Sequence, residues 1–201
     1  MTGACRRQSR FELLLITRKE VNDLPVRRYP GEVRLLGEDA QSVLADVLQE
    51  EVVGFDTETR PSFRPGESYP PSLAQVATAN AVYLFQLRHA AAVEVLARVL
   101  EAPQVVKAGV GLADDLKALK KVREFSEKSI VDLGLAAKRQ GLQQSGVRNL
   151  SALFLGFRIP KGTKTSNWAR SHLTAQQVAY AATDAWACRE LYVRFRNLGF
   201  L

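Results

Sequence analysis

The chain has 201 residues, with 28 Lys and Arg against 21 Asp and Glu, a formal charge of +7 at pH 7. With 46 % hydrophobic and 24 % charged residues it is ordinary for a globular fold, which excludes a largely disordered chain. Two cysteines, Cys5 and Cys188, are too few for a disulfide framework or a zinc site. No window approaches 18 uninterrupted apolar residues, so no transmembrane helix is expected, and a cytoplasmic location is. The first ten residues carry Arg6, Arg7 and Arg10 and no acid, but the apolar run after them is too short for a signal peptide.

Residues 1–30 read as an N-terminal extension with one short helix at 19–23, closed by the turn signal Pro30-Gly31. Residues 31–201 read as one domain. In chain order, the apolar run 33–36 predicts a strand, and Ala40, Val43, Leu44, Val47 and Leu48 predict a helix over 39–50. Residues 52–56 predict a strand buried on both faces. The proline-rich stretch 60–71 must be a loop, and 73–77 with 81–87 suit a β-hairpin. A helix over 90–100, a strand at 105–108 and a helix over 112–121 follow, then helices over 133–140, 149–155 and 175–196. The last opens on Thr174 with Gln177 three residues on, the pattern of a capping box. Early strands and late helices argue for a mixed α/β sandwich.

Three stretches carry candidate chemistry. In Gly54-Phe55-Asp56-Thr57-Glu58-Thr59, Asp56 and Glu58 point the same way, because side chains alternate along a strand. Two like charges at a strand end suit a cation, although Asp-x-Glu alone is more readily a pair of solvated acids. In Lys107-Ala108-Gly109-Val110-Gly111-Leu112-Ala113-Asp114-Asp115-Leu116 the glycines permit a phosphate cradle, or let a helix start lie close to the sheet and turn Asp114 or Asp115 toward the first pair. The Gly-x-Gly-x-x-Gly and Walker patterns are absent, so the cradle is the weaker reading. In Tyr180-Ala181-Ala182-Thr183-Asp184 a phenol and a carboxylate share a helix face amid small residues. Together they offer four oxygen-donor acids and one tyrosine without His or Cys, which suits Mg²⁺ or Mn²⁺.

In order and surroundings these stretches resemble the three motifs of the DEDD superfamily of 3′–5′ exonucleases, in the subgroup with a tyrosine in the third motif. The Lys-Ala-Gly-Val-Gly run and the Ser166-Asn167-Trp168 element point to the RNase D and Werner-exonuclease branch, and the likeness covers about residues 33–196. The resemblance implies an RNase H-like mixed sheet flanked by helices. It also implies a phosphodiester hydrolase that uses two divalent cations, Mg²⁺ or Mn²⁺, on nucleic-acid 3′ ends, DNA or RNA. By position, Asp56 would bridge both cations, Glu58 and Asp184 would complete the shell of the first, and Asp115 would hold the second. Asp115 is preferred to Asp114 because the family's acid directly precedes the apolar residue, here Leu116. Tyr180 would orient the attacking water.

Substrate contacts are expected from Thr59, whose backbone N–H could meet the terminal nucleotide, from Arg60, Phe63 and Arg64 on the following loop, from Lys107, and from Lys164 in the basic stretch before the last helix. Trp168 in that stretch reads as core packing. The helical nucleic-acid-binding domain of RNase D proteins is not expected within these 201 residues, so grip is expected from this domain, its N-terminal extension or an oligomer. A non-cleaving nucleic-acid-binding module and a hydrolase confined to short oligonucleotides are the competing readings.

Overall fold

The computed structural model describes residues 15–64, 66–160 and 166–201. Its elements are α1 (Arg18–Asp23), β1 (Glu32–Leu36), a 3₁₀ turn (Ala40–Val43), α2 (Leu44–Leu48), β2 (Val52–Thr59), β3 (Pro71–Ala77), β4 (Ala81–Gln86), α3 (Ala90–Glu101), β5 (Val106–Gly109), α4 (Leu112–Lys120), β6 (Ile130–Asp132), α5 (Leu133–Arg139), α6 (Val147–Leu155) and α7 (Ala175–Leu198). The strands form one sheet in the order β1-β4-β3-β2-β5-β6. β3 runs antiparallel to both neighbours, and the remaining pairings are parallel. This is the mixed α/β sheet flanked by helices that the sequence implies.

β2 lies inside the sheet because its apolar residues have partners on both faces. Val53 and Phe55 pack with α2, α3 and α4 through Val47, Leu96 and Leu116. On the other side β2 meets α7, and the separation there is set by glycine. A Cβ at Gly54 would stand 1.9 Å from the carbonyl oxygen of Ala185 and 2.8 Å from the backbone nitrogen of Arg189. Ala181, Ala182 and Ala185 of α7 continue this contact in one apolar cluster with Leu73, Ala77 and Trp168. Trp168 is buried, as its core reading expects. Gly54→Ala must push α7 off the sheet, and a stability loss of about 1–3 kcal/mol or more is expected in denaturant titration. The same displacement moves Tyr180 and Asp184, so activity should fall in parallel.

The structure departs from the sequence expectations in four places. β2 continues through Glu58 to Thr59, so both acids sit on the strand itself, and an irregular register follows at Glu58/Thr59. The helix expected over 39–50 is a 3₁₀ turn running into a short α-helix, its first part closed by i to i+3 bonds such as Ser42 N–H to Asp39 O. β6 has no counterpart among the sequence expectations, because three half-buried residues carry too little pattern to register. Finally, residues 15–29 pack on the domain. The capping box of α1, Thr17 with Glu20, starts a segment whose Pro25 and Arg27 bond to the backbone of Arg158. Its Tyr29 N–H donates to the Thr183 hydroxyl at 3.0 Å. Among the described residues no helix is long and apolar enough to cross a membrane.

Candidate active site

Strand alternation and the close approach of α7 bring three carboxylates together. One oxygen each of Asp56, Glu58 and Asp184 lies within 4.8 Å of the others. Glu58 and Asp184 are 8 % and 4 % exposed, so water relieves little of their mutual repulsion. Tyr180, one turn before Asp184, hydrogen-bonds its carboxylate. The other oxygen of Asp184, Oδ1, is buried and has no hydrogen-bond partner among the described residues. An unsatisfied carboxylate oxygen in such a place is costly unless it meets a cation. The donor set is all oxygen, and it fits hard divalent ions.

Asp115 lines the same cleft, a cavity of about 710 Å³, but stands outside that tight trio. It accepts a 2.5 Å hydrogen bond from the hydroxyl of Thr57, the β2 residue between the two strand acids. Asp114 is exposed, so the geometry separates two residues that the sequence leaves nearly equivalent. The start of α4 is held by Asp132 at the end of β6. One of its oxygens accepts from the backbone N–H groups of Gly111 and Leu112, at 3.0 and 3.2 Å, and the other caps α5 through Leu135 N–H. Those N–H groups are therefore committed to Asp132 rather than to a phosphate cradle. Gly109 fits the close-packing alternative, since a Cβ there would stand 2.4 Å from the carbonyl oxygen of Phe55. Asp132→Ala strands three donors at two helix starts. A loss of about 2–4 kcal/mol is expected by calorimetry or denaturant unfolding, with activity reduced because Asp115 loses its support.

Burial dominates the electrostatics. It raises the Asp184 carboxyl to about 6 despite the opposing Tyr180 hydrogen bond and the charge of Arg148. It also raises Asp115, against the Thr57 hydrogen bond. Burial and then the Asp184 charge push the Tyr180 phenol well above its ordinary value, so it keeps its proton and acts as a neutral donor.

The expected substrate residues divide. Thr59 ends β2, directly after Glu58. Arg60 stacks on the Tyr69 ring at 4.6 Å, Phe63 is 82 % exposed, and the Arg64 carbonyl closes a turn with Glu67 N–H. These lie on the loop after the cleft and outside its lining. Lys107 must be withdrawn as a substrate contact. It is fully buried, with Nζ donating to the Ala102 carbonyl at 2.7 Å, and burial lowers its ammonium to about 8. Lys164 lies outside the described residues. Sequence reading misses Arg18 and Arg148, which line the cleft, and Asp132 behind it. Asp132 has a local signal, an Asp immediately before a helical pattern; the two arginines have none.

The fold and the carboxylate cleft define a nuclease-like domain whose acids suit divalent cations. Residues 37–199 match the 3′–5′ exonuclease domain, and the chain belongs to that family. It is 31 % identical over 195 residues to the bifunctional 3′–5′ exonuclease/ATP-dependent helicase WRN of Mus musculus, covering 89 % of this chain and 14 % of that protein. It is 30 % identical over 159 residues to ribonuclease D of Gluconacetobacter diazotrophicus, covering 77 % of this chain and 39 % of that protein. The chain thus spans less than half the length of either relative. In fold it is similar to the Nibbler EXO domain of Aedes aegypti, with a TM-score of 0.75 at 24 % identity over 86 % of this chain and 93 % of that one.

Proposed function

We propose that this domain hydrolyses phosphodiester bonds at nucleic-acid 3′ ends and releases nucleoside 5′-monophosphates. The observation that carries the reading is the convergence of Asp56, Glu58 and Asp184, with Tyr180 bonded to Asp184, in one cleft of an exonuclease-family domain. The catalytic unit is taken as residues 31–201, with the preceding segment packed on it.

Asp56, Glu58 and Asp184 would hold one Mg²⁺ or Mn²⁺, and Asp115 with Asp56 would hold a second. When bound, such a pair acidifies water and neutralises charge on the attacking and leaving oxygens. The chain's own residues do the rest. Tyr180, a neutral phenol held by Asp184, donates a hydrogen bond that fixes the attacking water in line with phosphorus. That water's oxygen forms the new bond to phosphorus as the bond to the 3′ oxygen of the shortened strand breaks, and the phosphate leaves with the 3′-terminal nucleoside. Thr59, at the strand end, would meet the terminal nucleotide through its backbone. Arg60, Arg64 and Phe63 supply charge and a stacking surface on the adjacent loop.

The test is a 5′-labelled single-stranded oligonucleotide, in DNA and RNA forms of graded length, with Mg²⁺ or Mn²⁺. Stepwise shortening from the 3′ end with mononucleotide release is expected. Absence of product with both ions, both sugars and every length would overturn the reading.

A further inference from the structure

The cleft is not built by the family-matched residues alone. Ile16, Arg18, Val21 and Asn22, in and beside α1, line it together with the catalytic acids, and all precede residue 37, where the family match begins. The segment is tied down at several points. Gln144 clamps the backbone of Ile16 in both directions, accepting from its N–H at 2.8 Å and donating to its carbonyl at 2.9 Å. Arg158 bonds the carbonyls of Leu24 and Pro25 and accepts from Arg27 N–H. Yet α1 contributes no buried residue, so the domain's core gains nothing from its side chains. The helix is held in place by backbone and polar contacts, and its placement over the cleft is what those contacts achieve.

Charge indicates its use. The cleft's charged lining consists of Asp56, Glu58, Asp115 and Asp184 on one side of the balance, and Arg18 and Arg148 on the other. With two divalent cations bound, the four carboxylates are neutralised, and the two arginines remain to attract a polyanion. Among the described residues neither arginine forms an ion pair, and Nε of Arg148 is buried without a partner. Arg18 is exposed at the first position of α1, where a cation gains nothing from the helix dipole. Helix stability does not explain an arginine at that position.

We infer that α1 is a substrate-binding wall of the cleft. Arg18, together with Arg148 on α6, grips a backbone phosphate of the single strand adjacent to the scissile one. Arg18 thereby sets affinity for strands longer than the departing nucleotide. This assignment rests on the exonuclease reading above for the identity of the polyanion.

The experiment reads salt dependence as well as turnover. Binding of a labelled single-stranded oligonucleotide is followed by fluorescence anisotropy in Ca²⁺ over a range of NaCl, and KM and kcat are measured separately in Mn²⁺. Each phosphate contact contributes about 0.7 to the slope of log affinity against log salt for single strands. Arg18→Ala should therefore flatten that slope by about 0.7, weaken binding and raise KM by about 5–10-fold, and leave kcat within about twofold. Arg18→Lys keeps the charge and should restore the slope. A wild-type slope and KM in Arg18→Ala, or a fall in kcat with KM unmoved, would overturn the assignment. If the wild type released no nucleotide, the exonuclease reading would fall, while the binding slope would still decide whether Arg18 holds phosphate.

Discussion

Asp56→Ala is expected to reduce nucleotide release by on the order of 10³-fold or more, the several kcal/mol that correctly held cations contribute to charge stabilisation in phosphoryl transfer. Asp56 belongs to the tight carboxylate trio of the cleft. Its side chain shares the β2 face with Glu58 and lies within 4.8 Å of Asp184, while the next residue, Thr57, carries Asp115 on its hydroxyl. Removing it takes one of the three carboxylates out of that trio. The substitution also removes one of several closely packed negative charges, so a thermal melt should show a folded protein. Titration calorimetry with Mn²⁺ should show divalent binding weakened in the variant. Activity near the wild-type level would mean that the hydrolysis, if any, occurs elsewhere.

Tyr180→Phe should slow turnover by roughly 10²–10⁴-fold with little change in KM, the range expected for losing one positioned proton-handling group. Phe preserves the ring that packs near Trp168, whose centroid lies 6.2 Å away, so the α7 contact survives. What is lost is a hydroxyl held in its protonated form by burial and by the neighbouring Asp184 charge. Water would still enter the site but would lack the donor that orients it. A decline below about tenfold in single-turnover measurements would show that Tyr180 is a packing residue rather than a positioning one.

Features whose determinants sit within a few residues of one another are legible in the sequence. The capping box at Thr174 and Gln177 is one, because both partners lie in a single turn. The same-face pair Asp56 and Glu58 follows from the two-residue period of a strand, and Tyr180 with Asp184 from the four-residue spacing of a helix. The C-terminal stop of α6 at Gly156 follows from the residue type, since glycine takes the left-handed conformation, here φ 70°, without a Cβ penalty. The resemblance to exonuclease motifs then joins these local signals into one site.

What escapes depends on how elements pack against one another, not on spacing along one element. Lys107 reads as a strand-end cation beside a catalytic motif, and only the packing of the α3 C-terminus onto it shows that its ammonium is spent on Ala102. Asp132 sits on a strand too short to carry a pattern, yet it anchors the helix that presents Asp115. Arg18 lies in a stretch that reads as an extension, and it reaches the cleft because Gln144, 128 residues distant from Ile16, clamps the backbone beside it.

By itself the sequence determined which acids and which tyrosine face together along their own elements, since strand and helix periods need only local geometry. Tertiary structure decided how those elements meet. It set Asp115 on Thr57 in the cleft and left Asp114 exposed, took Lys107 out of the cleft, and brought α1 into it, because burial, desolvation and close approach depend on neighbours that chain order does not reveal.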